Sequence, residues 1–122
     1  MSQRRIFVDD AIYHITSRTF DFQKVFTHKS CCDLFIEVLD FCHKKLAFKL
    51  YAYAVLPDHV HLFVKCDPTD APQWLVGQFK GYTSFMLRKE FKWLKSRLPT
   101  LWTRSYYCES IGHISEKVVK KL

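Results

Sequence analysis

The sequence has no long uninterrupted apolar run, because charged residues break every such stretch well before the ~18 residues that a membrane-spanning helix needs. It also shows no secretory signal, no low-complexity tract, and no internal repeat or linker. These absences argue against a membrane-spanning or disordered chain. They predict a single globular domain over residues 1–122.

Paired cysteine motifs are also lacking. The chain has 5 cysteines, an odd number, and none of them forms a C-x-x-C pair. A structural zinc site is therefore not expected. Reduced thiols and a cytoplasmic location are the plainer interpretation.

Acidic residues are scarce relative to basic ones. The sequence has 19 Lys and Arg against 12 Asp and Glu, which gives a formal net charge of +7. Such a balance favours a polyanionic partner, with nucleic acid first and an anionic membrane surface second. Charge alone leaves open a basic protein that binds neither.

The hydrophobic pattern predicts an alternation of strands and helices. Strands are predicted over 11–18, 47–56, 59–65 and 101–109. One helix is predicted from an N-cap at Ser30 to about Lys45, a long one from Pro72 until Pro99, and a last one from Ser115. This order predicts an α+β, ferredoxin-like (RRM-like) fold, in which helices pack on an antiparallel sheet and a C-terminal helix follows.

Three features of the predicted helices suggest how they pack. The first helix carries a wide apolar stripe of Leu34, Phe35, Val38, Leu39 and Phe41. In the long helix, Arg88, Lys92 and Lys95 align as a basic stripe, and Gly77 and Gly81 lie one turn apart. The two glycines suggest close approach to another backbone.

The most informative segment is Pro57-Asp58-His59-Val60-His61. Pro-Asp is typical of a tight reversal, so 47–56 and 59–65 should form a hairpin in which Leu56 faces His59 and Ala54 faces His61. Alternation along the strand puts both histidines on one face, with Cβ atoms about 7 Å apart. Two such imidazoles can hold a divalent metal, Mg²⁺ or Mn²⁺, against a phosphate. Histidines that serve only packing or pairing explain this spacing equally well.

Five blocks of the sequence together resemble the HUH class of single-strand DNA nucleases. Within that class the chain is similar to the small single-tyrosine insertion-sequence transposases and their REP-associated relatives. The blocks are AIYHITSR at 11–18, AVLPDHVHLF at 54–63, FKG at 79–81, LWTRSYY at 101–107 and GHISEKVVKK at 112–121. The resemblance covers nearly the whole chain.

The resemblance implies a metal-dependent, single-strand DNA transposase or endonuclease of the prokaryotic cytoplasm. It implies a homodimer that binds hairpin DNA at insertion-sequence ends, without a membrane partner. Mg²⁺ or Mn²⁺ on His59 and His61 would assist a tyrosine that attacks the scissile phosphate, giving a 5′-phosphotyrosine link that is later rejoined.

In this family the nucleophilic tyrosine is expected at or just beyond Leu122, where this sequence has none. The resemblance therefore predicts a truncated tyrosine helix and a chain inactive for cleavage. Tyr106 and Tyr107 fall where the family has a structural strand, so they are not expected to replace it. His14 could lie on the same sheet as His59 and His61, but an ordinary polar strand residue is the plainer interpretation.

Basic and aromatic side chains are the candidates for DNA contacts. The basic candidates are Arg4, Arg5, Arg18, Lys80, Arg88, Lys92 and Arg104. Trp74, Tyr82 and Trp102 are candidates for stacking on unpaired bases. Two alternative functions stay open: a non-catalytic RRM-like nucleic-acid-binding module, and a two-histidine phosphoesterase, which needs two separated H-x-[ST] motifs and is less favoured.

Overall fold

The computed structural model describes residues 12–46, 48–65 and 72–111. Four strands are present: β1 (Tyr13–Arg18), β2 (Lys49–Leu56), β3 (His59–Lys65) and β4 (Tyr107–Ser110). Three α-helices accompany them: α1 (Lys29–Lys45), α2 (Pro72–Glu90) and α3 (Lys92–Arg97). Two short 3-10 turns, Phe20–Phe22 and Val25–Thr27, connect β1 to α1.

The strands form one sheet in the order β2-β3-β1-β4, and every neighbouring pair is antiparallel. Together with the helices, this is the predicted α+β, ferredoxin-like arrangement, with β1 and β3 as the central strands. The predicted C-terminal helix lies outside the described residues.

Alternation along β1 and β3 divides their side chains between the two faces of the sheet. One face is buried and joins residues of α1 and α2, among them Phe35 and Phe79, in a single core. Its strand residues are Tyr13, Ile15, Val60, Leu62 and Val64. The other face, called here the histidine face, carries the half-buried side chains of His14, Thr16, His59 and His61.

Helix α1 begins at Lys29, after His28 in extended backbone conformation, and no side chain caps it. The prediction of Ser30 as the N-cap was therefore wrong. The buried stripe of α1 consists of Cys31, Phe35, Val38, Leu39 and Cys42. Phe41, predicted to belong to this stripe, is 53% exposed, because at 100° per residue it lies beside the stripe and packs edge-on against Tyr82 instead.

The predicted long helix is in fact two helices, because Phe91 adopts an extended conformation between α2 and α3. A single helix over 72–97 would be about 39 Å long, well beyond the ~23 Å of a seven-residue strand. Folding back at Phe91 lets Leu94 and Leu98 return to the core, where both are buried. Arg88 Nη1 closes the corner by donating to the Leu98 carbonyl at 2.9 Å.

The predicted strand over 101–109 is regular only from Tyr107 onward. Trp102 makes one isolated bridge to Thr19 and is 3% exposed in the core, so it is not available to stack on DNA. Lys80 then draws the next residues toward α2, since its Nζ donates to the carbonyl of Thr103 at 2.6 Å. The strand pairs with β1 again only after this detour.

The two glycines of α2 do not mark a close backbone contact among the described residues. A Cβ built at Gly77 or Gly81 would meet no atom of that part of the chain within 4 Å. The predicted close approach was therefore wrong for the described structure. None of the described helices combines the length and hydropathy that crossing a membrane would require.

One buried hydrogen bond is expected to contribute measurably to stability. Trp102 Nε1 donates to Thr83 Oγ1 at 2.9 Å, and that hydroxyl donates to the Phe79 carbonyl at 2.8 Å. Thr83→Val would leave the buried indole N–H without an acceptor, so we expect the free energy of unfolding to fall by about 1–3 kcal/mol in urea titrations.

Ser17→Ala is the matched control for Thr83→Val. Ser17 is equally buried, but its hydroxyl has no hydrogen-bond partner among the described residues. Removing that hydroxyl should leave stability unchanged or slightly raised. Equal losses in the two variants would contradict the role given to the Trp102–Thr83 bond.

Candidate active site on the histidine face

The hairpin between β2 and β3 has the two-residue turn that the sequence predicts. Leu56 pairs with His59 and Ala54 pairs with His61, so the predicted register is confirmed. The segment after β1 stabilises this turn through hydrogen bonds to its backbone carbonyls. The Asp58 carbonyl accepts from Thr19 N at 2.9 Å and from Thr19 Oγ1 at 3.1 Å, and the Pro57 carbonyl accepts from Phe26 N at 3.0 Å.

His59 and His61 lie side by side on the histidine face, with ring centroids 5.0 Å apart. Asp58 orients the first ring, because its Oδ1 lies 2.8 Å from His59 Nδ1. This hydrogen bond lowers the pKa of the Asp58 carboxyl. An ionised carboxylate can only accept, so the His59 proton is assigned to Nδ1 and the lone pair to Nε2.

His61 is held by β1 rather than by its own strand. Its Nδ1 lies 2.9 Å from His14 Nε2 and 3.0 Å from Thr16 Oγ1. Burial lowers the pKa of His61, and the nearby charges of His14, His59 and Arg18 lower it further. The site therefore favours a neutral His61 imidazole, which is the form that can bind a metal.

His14 connects His61 to the edge strand β4. Its Nδ1 lies 3.4 Å from Glu109 Oε1, and Tyr107 donates its hydroxyl to Glu109 Oε2 at 2.7 Å. The hydrogen bond from Tyr107, followed by that from His14, lowers the pKa of Glu109. The prediction of His14 as an ordinary polar strand residue was therefore incomplete.

A cavity of about 470 Å³ opens beside this cluster. It is lined by His14, Thr16, Arg18 and His61 from the sheet and by Thr103, Ser105, Tyr106 and Tyr107 from the last segment. Tyr107 is 52% exposed, and its hydrogen bond to Glu109 raises the pKa of its phenol.

Among the described residues, the candidate metal ligands are the two histidines His59 and His61. Within residues 12–46, 48–65 and 72–111, no group of three or more His, Cys, Asp or Glu side chains has a metal-binding arrangement. No disulfide joins any two of the four cysteines in that part of the chain, and burial raises the pKa of Cys31 and of Cys42 to about 11. Such thiols are poor metal ligands and poor nucleophiles.

Residues 7–121 match the family model of IS200-like transposases. The chain belongs to this family. Two curated relatives, the transposases for insertion sequence element IS200 of Salmonella typhimurium and of Salmonella typhi, are each 30% identical to it over 63 residues. That alignment covers 50% of this chain and 41% of each relative, so it spans less than half of the relatives' length.

Two solved structures share the fold of this chain. One is described as a transposase from Deinococcus radiodurans, with a TM-score of 0.77, 23% identity, and coverage of 99% of this chain and 94% of the other. The second is a REP-associated tyrosine transposase solved bound to a REP hairpin. Its TM-score is 0.68 at 13% identity, and the match covers 91% of this chain and 62% of that one.

The basic residues predicted to contact DNA occupy different positions in the fold. Arg18 and Arg104 are exposed, and Arg18 pairs with His59 across β1 and β3. Lys80 is half-buried, and burial lowers its pKa while its Nζ donates to the carbonyls of Thr103, Arg104 and Ser105. Arg4, Arg5 and the position at or beyond Leu122 lie outside the described residues.

Helices α2 and α3 enclose a second concavity, of about 740 Å³, which we call the basic groove. Of the described residues, four cations and no carboxylate line it; these lining residues are Gly81, Ser84, Phe85, Arg88, Lys89, Lys92, Lys95 and Ser96. Trp74 and Phe85, both exposed, belong to α2. The helix break thus replaces the predicted straight basic stripe with a groove that keeps Arg88, Lys92 and Lys95 together.

Lys80→Met and Lys92→Met should differ in their effect on the free energy of unfolding. Lys80→Met removes the donor to three carbonyls of 103–105, so the free energy of unfolding should fall by about 1–3 kcal/mol. Lys92 is exposed in the basic groove, so Lys92→Met should change stability by less than about 0.5 kcal/mol. Chemical denaturation measures both, and an equal effect would mean that the Lys80 contacts contribute nothing.

Proposed function

We propose that this chain is a metal-dependent, HUH-type single-strand DNA transposase domain that binds hairpin-bearing ends and supplies the metal site for their cleavage and rejoining. The observation that carries the proposal is the pair His59 and His61, held on one face of the sheet with both Nδ1 atoms hydrogen-bonded. Membership of the IS200-like transposase family supplies the class of reaction.

The side chains present fit a divalent metal. Both Nε2 atoms are without a hydrogen-bond partner among the described residues, and the ring centroids are 5.0 Å apart, so the two imidazoles can reach one ion. His59 and His61 would hold Mg²⁺ or Mn²⁺. Bound there, the ion would polarise a phosphate oxygen and stabilise the charge that develops on the scissile phosphate.

The neighbouring side chains suit the DNA backbone at such a centre. Arg18 stands opposite His59 in the register of β1 and β3, at the rim of the 470 Å³ cavity. Its guanidinium is suited to a second oxygen of the scissile phosphate or to the phosphate next to it. The cavity itself has room for one unpaired nucleotide.

Hairpin DNA is the proposed substrate. The relative solved with a REP hairpin has the same fold, and this chain carries a net charge of +7 with four cations in its basic groove. The groove would hold phosphates of the stem while Arg18 and Arg104 hold the single strand that enters the site. The homodimer and the 5′-phosphotyrosine intermediate implied by the family stay predictions.

The metal site is tested by Mn²⁺ binding to the 122-residue chain. We expect wild-type protein to bind Mn²⁺ in calorimetric and electron paramagnetic resonance titrations. His61→Ala should lose binding by 10-fold or more, since one of two protein ligands is gone. His28→Ala, an exposed histidine at the start of α1, is the matched control and should bind like wild type. Unchanged binding by His61→Ala would contradict the site.

The position of the nucleophile is tested with labelled single-stranded hairpin DNA and Mn²⁺ on a denaturing gel. A covalent adduct with this chain would place the tyrosine within residues 1–122, and mass spectrometry would then examine Tyr106 and Tyr107 first. DNA binding without an adduct agrees with the predicted position at or beyond Leu122. Absence of both binding and adduct would contradict the proposed function.

The basic groove is tested by removing three of its cations together. Lys89, Lys92 and Lys95 changed to Ala should weaken hairpin binding and flatten the dependence of log K on log salt by roughly 2 to 3, because fewer counterions are released. Lys29, Lys44 and Lys45 changed to Ala remove the same charge from α1 and serve as the matched control. Equal effects of the two triple variants would contradict binding in the groove.

The alternatives make different predictions. A non-catalytic RRM-like module would bind RNA and DNA equally and would not respond to Mn²⁺. For a two-histidine phosphoesterase, H-x-[ST] tripeptides do occur at 14–16 and 113–115, and the second lies outside the described residues. In the first tripeptide, His14 and Thr16 both contact His61. They therefore belong to the same cluster as His59-Val60-His61, called here the HVH motif, and not to a separate phosphoesterase site.

A further inference from the structure

The His14 ring is fixed on three sides. It stacks on Phe63 with centroids 4.8 Å apart and planes 7° from parallel. Its Nε2 faces His61 Nδ1 at 2.9 Å, and its Nδ1 faces Glu109 Oε1 at 3.4 Å. Backbone pairing holds these partners in place, since His14 stands opposite Phe63 in β3 and opposite Glu109 in β4.

The chemistry of the partners assigns the protons along this row. An ionised Glu109 only accepts, so His14 carries its proton on Nδ1 and has a lone pair on Nε2. That lone pair must receive the proton of His61 Nδ1. The lone pair of His61 is then on Nε2, the nitrogen that has no partner among the described residues.

Asp58 imposes the same tautomer on His59 directly, by its contact with His59 Nδ1 at 2.8 Å. Both histidines of the HVH motif therefore have Nδ1–H bonded to the protein and Nε2 available. The Asp58 carboxylate is one hydrogen bond away from His59. The Glu109 carboxylate is two hydrogen bonds away from His61, with His14 between them.

We propose that His14 and Glu109 form a positioning relay that sets the tautomer and orientation of His61 for metal binding. This inference rests on the proposed function. His14 is a positioning residue and not a third ligand, because one of its nitrogens faces His61 and the other faces Glu109. Thr16 Oγ1, at 3.0 Å from His61 Nδ1, can accept the same proton and is therefore compatible with this tautomer.

The first test needs no metal. In ¹⁵N-labelled wild-type protein above pH 7.5, long-range ¹H–¹⁵N spectra should show His61 as the Nδ1–H tautomer. His14→Leu combined with Thr16→Val removes both acceptors, so His61 should shift toward the Nε2–H form that a solvated histidine side chain favours in water. His14→Gln with Thr16 intact keeps an amide oxygen as acceptor and should preserve the Nδ1–H form.

The second test measures Mn²⁺ affinity in the same proteins. Outer-shell partners of this kind typically contribute 10–100-fold to metal affinity. We expect a loss of 10-fold or more in the double variant, and a smaller loss in His14→Gln. Glu109→Gln should lose several-fold, whereas Glu37→Gln on α1 should lose nothing.

Two results would overturn the relay: a His61 that is Nε2–H in wild type, or a folded double variant that keeps both the Nδ1–H tautomer and full Mn²⁺ affinity. Circular dichroism and thermal unfolding establish that each variant is folded. The relay and the proposed function fail separately. If wild-type protein binds no Mn²⁺, the proposed function is contradicted, while the tautomer spectra still decide whether the relay exists.

Discussion

The pairing of β1 with β3 in a single register is the constraint on which the site depends. It sets Thr16 opposite His61 and Arg18 opposite His59, so the residues of one strand complete the cluster begun by the other. A slip of one residue would turn the polar side of β1 into the core and its apolar side to the histidine face. Burial of Tyr13 and Ile15 with Val60 and Leu62 therefore stabilises the fold and fixes the positions of the histidines with the same contacts.

Local signals in the sequence predicted the part of the site that local structure determines. The Pro57-Asp58 turn fixes the register of β2 and β3, so the neighbours of His59 and His61 could be inferred residue by residue. The pairing of β1 with β3 could not be inferred in this way, because 40 residues, 19–58, separate the two strands. His14 was missed for that reason, although alternation already placed it on the polar side of β1 together with Thr16.

Charge and aromaticity alone did not distinguish surface residues from structural ones. Lys80 and Lys92 look alike in the sequence, but Lys80 donates to the three carbonyls of 103–105, whereas Lys92 lines the basic groove. Trp102 was expected at the surface and instead fills the core with its N–H bonded to Thr83. In both cases the deciding contact comes from a residue about twenty positions away.

Two backbone hydrogen bonds to the Pro57–Asp58 turn give the connection between β1 and α1 a structural role in the site. Surface connections of this kind usually tolerate insertions and replacement. Here the backbone N–H groups of Thr19 and Phe26, at the two ends of an eight-residue stretch, both donate to carbonyls of the turn that presents His59. A chimaera that exchanged this connection for one of another length would displace the histidines without altering either of them. Grafts elsewhere on this fold should therefore leave residues 19–26 intact.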